Sequence, residues 1–226
     1  MPLIAEGDLQ RSMGEAMATR TPLEPGAWSL GPGDHRVPVT AATAERPLEE
    51  VLRGRRSVRE FGREPLEWRV LSDVLRLARR ACDRQYAANV PLTFLLGLRN
   101  VAGLASGLYV PARDPGTARP VYAAETPTEV TREYADAPAL VFIGGPVVGT
   151  SGTSYGGLMT QAGALGHAVW LSARSHGLEC SVFALPDFRV TRAMRAQDGR
   201  TRHLFTVAVG APMDRPTSGV PAAPRR

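Results

Sequence analysis

The clearest hydrophobic rhythm lies in residues 65–82, PLEWRVLSDVLRLARRAC. There Leu66, Val70, Leu71, Val74, Leu75, Leu77 and Ala78 recur at helical spacing and mark one apolar stripe. Residues 47–57 open with Pro47, suited to a first helical turn, and set Leu48, Val51 and Leu52 on one face, which predicts a shorter helix. Residues 156–178 carry the longest helical pattern, rich in small residues and closing near Gly177. Further helices are expected over 129–136 and 187–197. Apolar runs predict strands over 91–101, 139–145 and 203–212, with a short one in 178–185, and the Gly and Pro of residues 104–114 punctuate a hairpin and loop. Helices interleaved with non-adjacent strands point to an α+β layer fold rather than a regular βαβ array.

The ends read differently. Residues 1–45 are rich in Pro, Gly, Ala and Thr and hold no lasting periodicity, which predicts an extended or disordered arm with room for a short helix around residues 8–18. Residues 213–226 resemble that arm and are expected to be a tail, leaving residues 46–212 as the folded domain. The most apolar run, residues 137–149, is broken by Gly and Pro and reads as a buried strand and turn, so no membrane span is expected. Glu6 and Asp8 stand where a secretion signal would be basic and then apolar. Cys82 and Cys180 make neither a disulfide framework nor a metal site, and a cytoplasmic protein is expected.

Charge narrows the chemistry. The net charge is +5 and all 27 basic residues are Arg, so no side-chain amine can form a Schiff base or serve a P-loop. Guanidinium groups remain for binding anions. They are scattered rather than striped, and aromatics are only 6%, which argues against nucleic acid as a partner.

One segment concentrates them. In RGRRSVREF, residues 53–61, Arg55, Arg56, Ser57 and Arg59 fall within five positions at a helix end. Guanidinium forks, a hydroxyl and nearby backbone amides can cradle a phosphate; a solvated basic helix terminus has the same composition. Among other titratable residues, His167 lies one turn beyond Gly163 on the same helical face, but a lone helix His is more often packed or solvated than catalytic. Structural roles are expected for His176 and His203, and Cys180 reads as a small buried hydrophobe.

RRSVREF followed by PLEWRVLSDVLRLA resembles the opening of the nitroreductase superfamily, where such a segment precedes the first long core helix. LRNVAGLASGLYVPARD, residues 98–114, is similar to a stretch of the SagB-type dehydrogenases, and SYGGLMTQAGALGHAVWLSARSHGLECSVF, residues 154–183, to their long helix and its exit. HLFTVAVGAP, residues 203–212, looks like the closing strand, so the resemblance runs from about Pro47 to Pro212. It implies a three-layer fold, a central mixed or antiparallel sheet flanked by helices, in an intertwined homodimer that binds FMN between subunits. Small residues Ala162, Gly163, Ala164 and Gly166 would let long helices approach at that interface.

The resemblance also implies roles. Arg55, Arg56, Ser57 and Arg59 would hold the phosphate and ribityl end of FMN, with Arg215 closing on the phosphate. Ala88 and Asn89 would lie beside the ring, and Phe183 and Ala184 near its reactive nitrogen. Tyr155 would be the catalytic residue, with a neighbouring cation needed to make a phenol an effective base. The activity implied is FMN-dependent oxidation of azoline rings to azoles in a ribosomal peptide, beside a cyclodehydratase.

Three departures bear on this. The loop CDRQYAANVP, residues 82–91, lacks the family's Ser and Gly. Ser154–Tyr155 replaces a Lys–Tyr pair, and Val182–Phe183–Ala184–Leu185 lacks a glycine. A non-catalytic scaffold subunit of a biosynthetic complex, or a general flavin reductase of nitro compounds or quinones, are the alternatives.

Overall fold

The computed structural model describes residues 29–30, 35–36, 46–86, 92–112, 116–122, 129–130, 134–148, 150 and 152–213. Apart from two short strands, β1 (Ser29–Leu30) and β2 (His35–Arg36), the predicted N-terminal arm lies outside these residues, as does the predicted tail beyond Met213.

In chain order the elements continue as α1 (Leu48–Arg53), β3 (Leu66–Glu67), α2 (Trp68–Tyr86), β4 (Thr93–Leu98), β5 (Val101–Ala102) and β6 (Gly107–Pro111). Then follow β7 (Thr117–Tyr122), β8 (Ala139–Pro146), α3 (Gly152–Ser175), β9 (Glu179–Phe183), α4 (Phe188–Asp198) and β10 (Thr201–Gly210). The longer strands form one sheet in the order β7-β6-β4-β8-β10-β9, with β1 and β2 both on β7. Every pairing in it is antiparallel; the parallel pair β3–β5 is separate. This is the expected α+β class.

Two-residue alternation sorts the strands into two cores. Ala139, Val141 and Ile143 of β8 join Phe94, Leu96 and Leu98 of β4 on the face covered by α2 and α3. Leu140 and Phe142 join Leu95 and Ala208 on the other face, with Val190, Ala193 and Met194 of α4. A bulge between His203 and Phe205 lets Leu204 and Phe205 pack toward the same core. Helix layers on both sides of a sheet make the three-layer arrangement.

The α2 stripe buries Leu71, Val74, Leu75 and Ala78 as its periodicity requires. Asp187 caps α4 by accepting from the backbone N–H of Arg189 and Val190, and Gly199 ends it in the left-handed conformation at φ 70°. Two differences from expectation stand out. Strand β7 falls in residues for which no element was expected, and of the helix expected over 129–136 the described residues show helical backbone at 129–130, with Tyr134 in a turn. Among the described residues no helix is long and apolar enough to cross a membrane.

Candidate functional site

The arginine-rich segment leaves α1 and runs beside β9, an outer strand of the sheet. The Val58 backbone N–H donates to the Cys180 carbonyl at 2.9 Å, and Gly62 N–H donates to the Ala211 carbonyl at 3.0 Å. Phe61 pairs with Pro212 and is buried in the second core. The apolar members Val58 and Phe61 thus pin the segment to the sheet, while Arg55, Arg56, Ser57 and Arg59 are exposed. The Arg55 guanidinium lies 4.8 Å above the Trp170 ring of α3, and that of Arg59 lies 5.7 Å from the Phe183 ring. No described carboxylate pairs with Arg55, Arg56 or Arg59.

Beneath the segment sits a residue that sequence reasoning missed. Arg174, in the last turn of α3, is buried. One arm of its guanidinium bonds Glu179 at the start of β9, and the other donates to the Gly54 carbonyl at 2.8 Å. A basic residue at a helix C-terminus reads as dipole complementation, so its contact with a glycine 120 positions earlier had no local signal.

The other expected site residues are spread out. Tyr155 is half-buried in the first turn of α3 and packs against the first core. Fifteen residues separate it from Trp170 in one helix, a rise of about 22 Å. Within a single chain the structure therefore does not bring Tyr155 to the arginine segment. Phe183 is half-buried at the end of β9 and Ala184 is exposed just after it. Ala88, Asn89 and Arg215 lie outside the described residues.

Of the histidines, His176 and His203 are held in structural contacts and His167 is not. His167 is exposed on α3. His176 is buried; its Nε2 lies 3.1 Å from the Asp73 carboxylate and its Nδ1 2.8 Å from the Ser172 carbonyl, so both ring nitrogens face acceptors. Asp73 also pairs with Arg76. His203 has the opposite surroundings. Its Nδ1 accepts from the Asp187 backbone N–H at 2.9 Å, and its Nε2 lies 2.8 Å from the Thr206 hydroxyl and 3.1 Å from the Phe205 carbonyl. Burial pushes its pKa down to about 4, as a ring whose Nδ1 is already an acceptor requires. Burial alone would raise the Asp187 carboxyl; the Arg189 guanidinium and the capping N–H groups outweigh it and hold the carboxyl below its ordinary range. Burial drives the Cys180 thiol far up, leaving an inert hydrophobe as expected from sequence.

The donor set of the segment fits a phosphate: guanidinium groups without described carboxylate partners, a hydroxyl between them, and a backbone held at both ends. The described residues give no geometry for a ring.

Comparison with known proteins agrees with the architecture. The nitroreductase family model matches residues 52–211. A solved nitroreductase-type structure from Ralstonia eutropha has 20% identity and a TM-score of 0.61, over 80% of this chain and 90% of that one. One from Anabaena variabilis has 17% identity and a TM-score of 0.58 over 94% of this chain, which spans about half that protein's length (49%). The E. coli microcin synthetase McbBCD complex, with truncated pro-MccB17 bound, has a chain with 14% identity and a TM-score of 0.52, over 95% of this chain and 84% of that one. At such identities these structures speak for the fold alone. A search of curated proteins finds no match. With the family match spanning most of the folded residues, the chain belongs to the nitroreductase family, whose members are typically flavin oxidoreductases.

Proposed function

We propose that this protein is an FMN-dependent dehydrogenase of SagB type that oxidises azoline rings to azoles in a ribosomal peptide. The observation that carries the proposal is the pinned segment 54–62, which presents Arg55, Arg56, Ser57 and Arg59 with none of the arginines in an ion pair with a described carboxylate. Such a group of fixed cations calls for an anion, and a flavin phosphate matches both the donors and the family. A chain of the microcin synthetase complex shares this fold, which makes a biosynthetic complex a natural setting for the reading.

A bound flavin supplies the hydride-accepting ring. In this reading Arg56 holds the phosphate directly, while Arg55 and Arg59, each stacked on an aromatic ring, flank it. Tyr155 takes the proton from the substrate carbon. Because Tyr155 sits far along α3 from its own arginine segment, the reading requires a second copy of the chain to carry its tyrosine to that segment. A cyclodehydratase is the expected partner, since its product is the substrate.

The scaffold reading is favoured by one observation: all four cradle side chains are exposed in the single chain. Reconstitution separates the two. Purified protein incubated with FMN and desalted should stay yellow, quench flavin fluorescence and have the mass of a dimer. Arg56→Ala should lose flavin on desalting, and Tyr155→Phe should keep it while oxidising an azoline peptide more slowly. A wild-type chain that emerges colourless after reconstitution would overturn the enzymatic reading.

A further inference from the structure

The geometry points to Arg174 as a positioning residue for the anion-binding segment. This rests on the flavin reading above and adds to it a buried residue outside the segment itself.

Residues 54–58 form a short arch hung between two anchors. At one end the Gly54 carbonyl accepts from Arg174 Nη2 at 2.8 Å; at the other, the Val58 N–H donates to the Cys180 carbonyl at 2.9 Å. Both anchors lead to one buried pair, because Arg174 also bonds Glu179, the residue before Cys180. Trp170, one helical turn before Arg174 on the same face of α3, supplies the ring beneath Arg55. Arg174 and Trp170 therefore set the height and direction of the arch.

The arrangement is costly as pure scaffolding. Side chains of Arg174 and Glu179 are only 7% and 12% exposed, and Arg174 Nε is buried with no partner. Apolar side chains of similar volume could fill the space without desolvating a charge pair. What only a guanidinium offers is a planar fork that binds a carboxylate and a carbonyl together, fixing both in register. The residue at position 54 also fits this contact: a Cβ there would come within 2.7 Å of Arg174 Nη2 and 3.2 Å of the Glu50 carbonyl. Glycine allows the guanidinium to approach the backbone immediately before Arg55.

The test measures two quantities on each variant of the full chain: the melting temperature without flavin, and the Kd for FMN from fluorescence quenching. Arg174→Met should weaken FMN binding about tenfold or more, the scale of one lost charge-assisted hydrogen bond. Arg174→Lys should recover most of the melting temperature by keeping a charge opposite Glu179, yet leave binding weak for lack of the fork. Gly54→Ala, which retains the Arg174–Glu179 pair, should weaken binding severalfold with little change in melting. FMN affinity that simply tracks melting temperature across the three variants, or variants that bind as tightly as wild type, would overturn the assignment while leaving the flavin reading intact. A wild-type chain that binds no FMN would overturn both.

Discussion

The two halves of α3 have opposite surroundings. The C-terminal half is clasped on several sides: Trp170 lies under Arg55, Arg174 holds Glu179 and Gly54, and His176, in the turn just after the helix, meets Asp73 of α2. The N-terminal half exposes Gly156, Met159, Thr160, Gly163 and His167 on one side, and a side chain added at Gly156, Gly157 or Gly163 would meet nothing within 4 Å. The same helix is finished at one end and open at the other. A chain spends buried charge where its own elements must close on one another; it spends glycine either where something already sits close or where room is left. Gly166 and Gly163 show these two uses, since a Cβ at Gly166 would come within 2.4 Å of the Phe205 ring.

The largest perturbation attacks the closed end. Asp73→Ala leaves the buried His176 without its carboxylate and Arg76 without its partner, and should cost about 3–5 kcal/mol in urea unfolding. A loss within 0.5 kcal/mol would mean that the clasp is decorative. Acid tests the other histidine site. His203 in the folded chain titrates near 4 against 6.5 for a free imidazole, so below pH 6.5 the unfolded chain binds a proton that the native one resists. Stability should be complete above pH 6.5, fall by up to about 3 kcal/mol as the pH drops to 4, and level off in this contribution below. His203→Gln should flatten that slope, as followed by unfolding at several pH values. Next in size, Gly166→Ala should destabilise by about 1–3 kcal/mol through overpacking against Phe205. Gly163→Ala, three positions earlier, meets only open space within its own chain and should stabilise a lone chain by about 0.5–1 kcal/mol through added helix rigidity; a loss of stability instead would place Gly163 against the second copy. Equal effects of the two substitutions on thermal unfolding would erase the contrast between packed and open glycine.

The parts of this molecule that announce themselves in sequence are those whose signal is local. The α2 stripe, the apolar run of β8 and the helical run of α4 each appear because neighbouring residues repeat one demand. Strand β7 was hidden because Arg119 and Pro120 interrupt its alternation between buried Ala118 and Val121. Helix α3 begins at Gly152, ahead of the apolar pattern, where Gly and Ser dominate and propensity says little. At the candidate site the arginines were legible because they are contiguous. The residues that hold them were not: Arg174 meets Gly54 across 120 positions, and His176 meets Asp73 across 103. A glycine interrupting a run of arginines was the one visible trace of the close approach at Gly54. The distance between Tyr155 and the arginine segment likewise follows only from knowing which turn of α3 Arg55 rests upon.

The hydrogen bond from Val58 to Cys180 has a consequence for solubility. Strand β9 borders the sheet, and its outward backbone groups could recruit a strand from a neighbouring molecule. Val58 covers part of that border and charged Arg55, Arg56 and Arg59 lie around it, the two devices by which natural sheet edges resist strand addition.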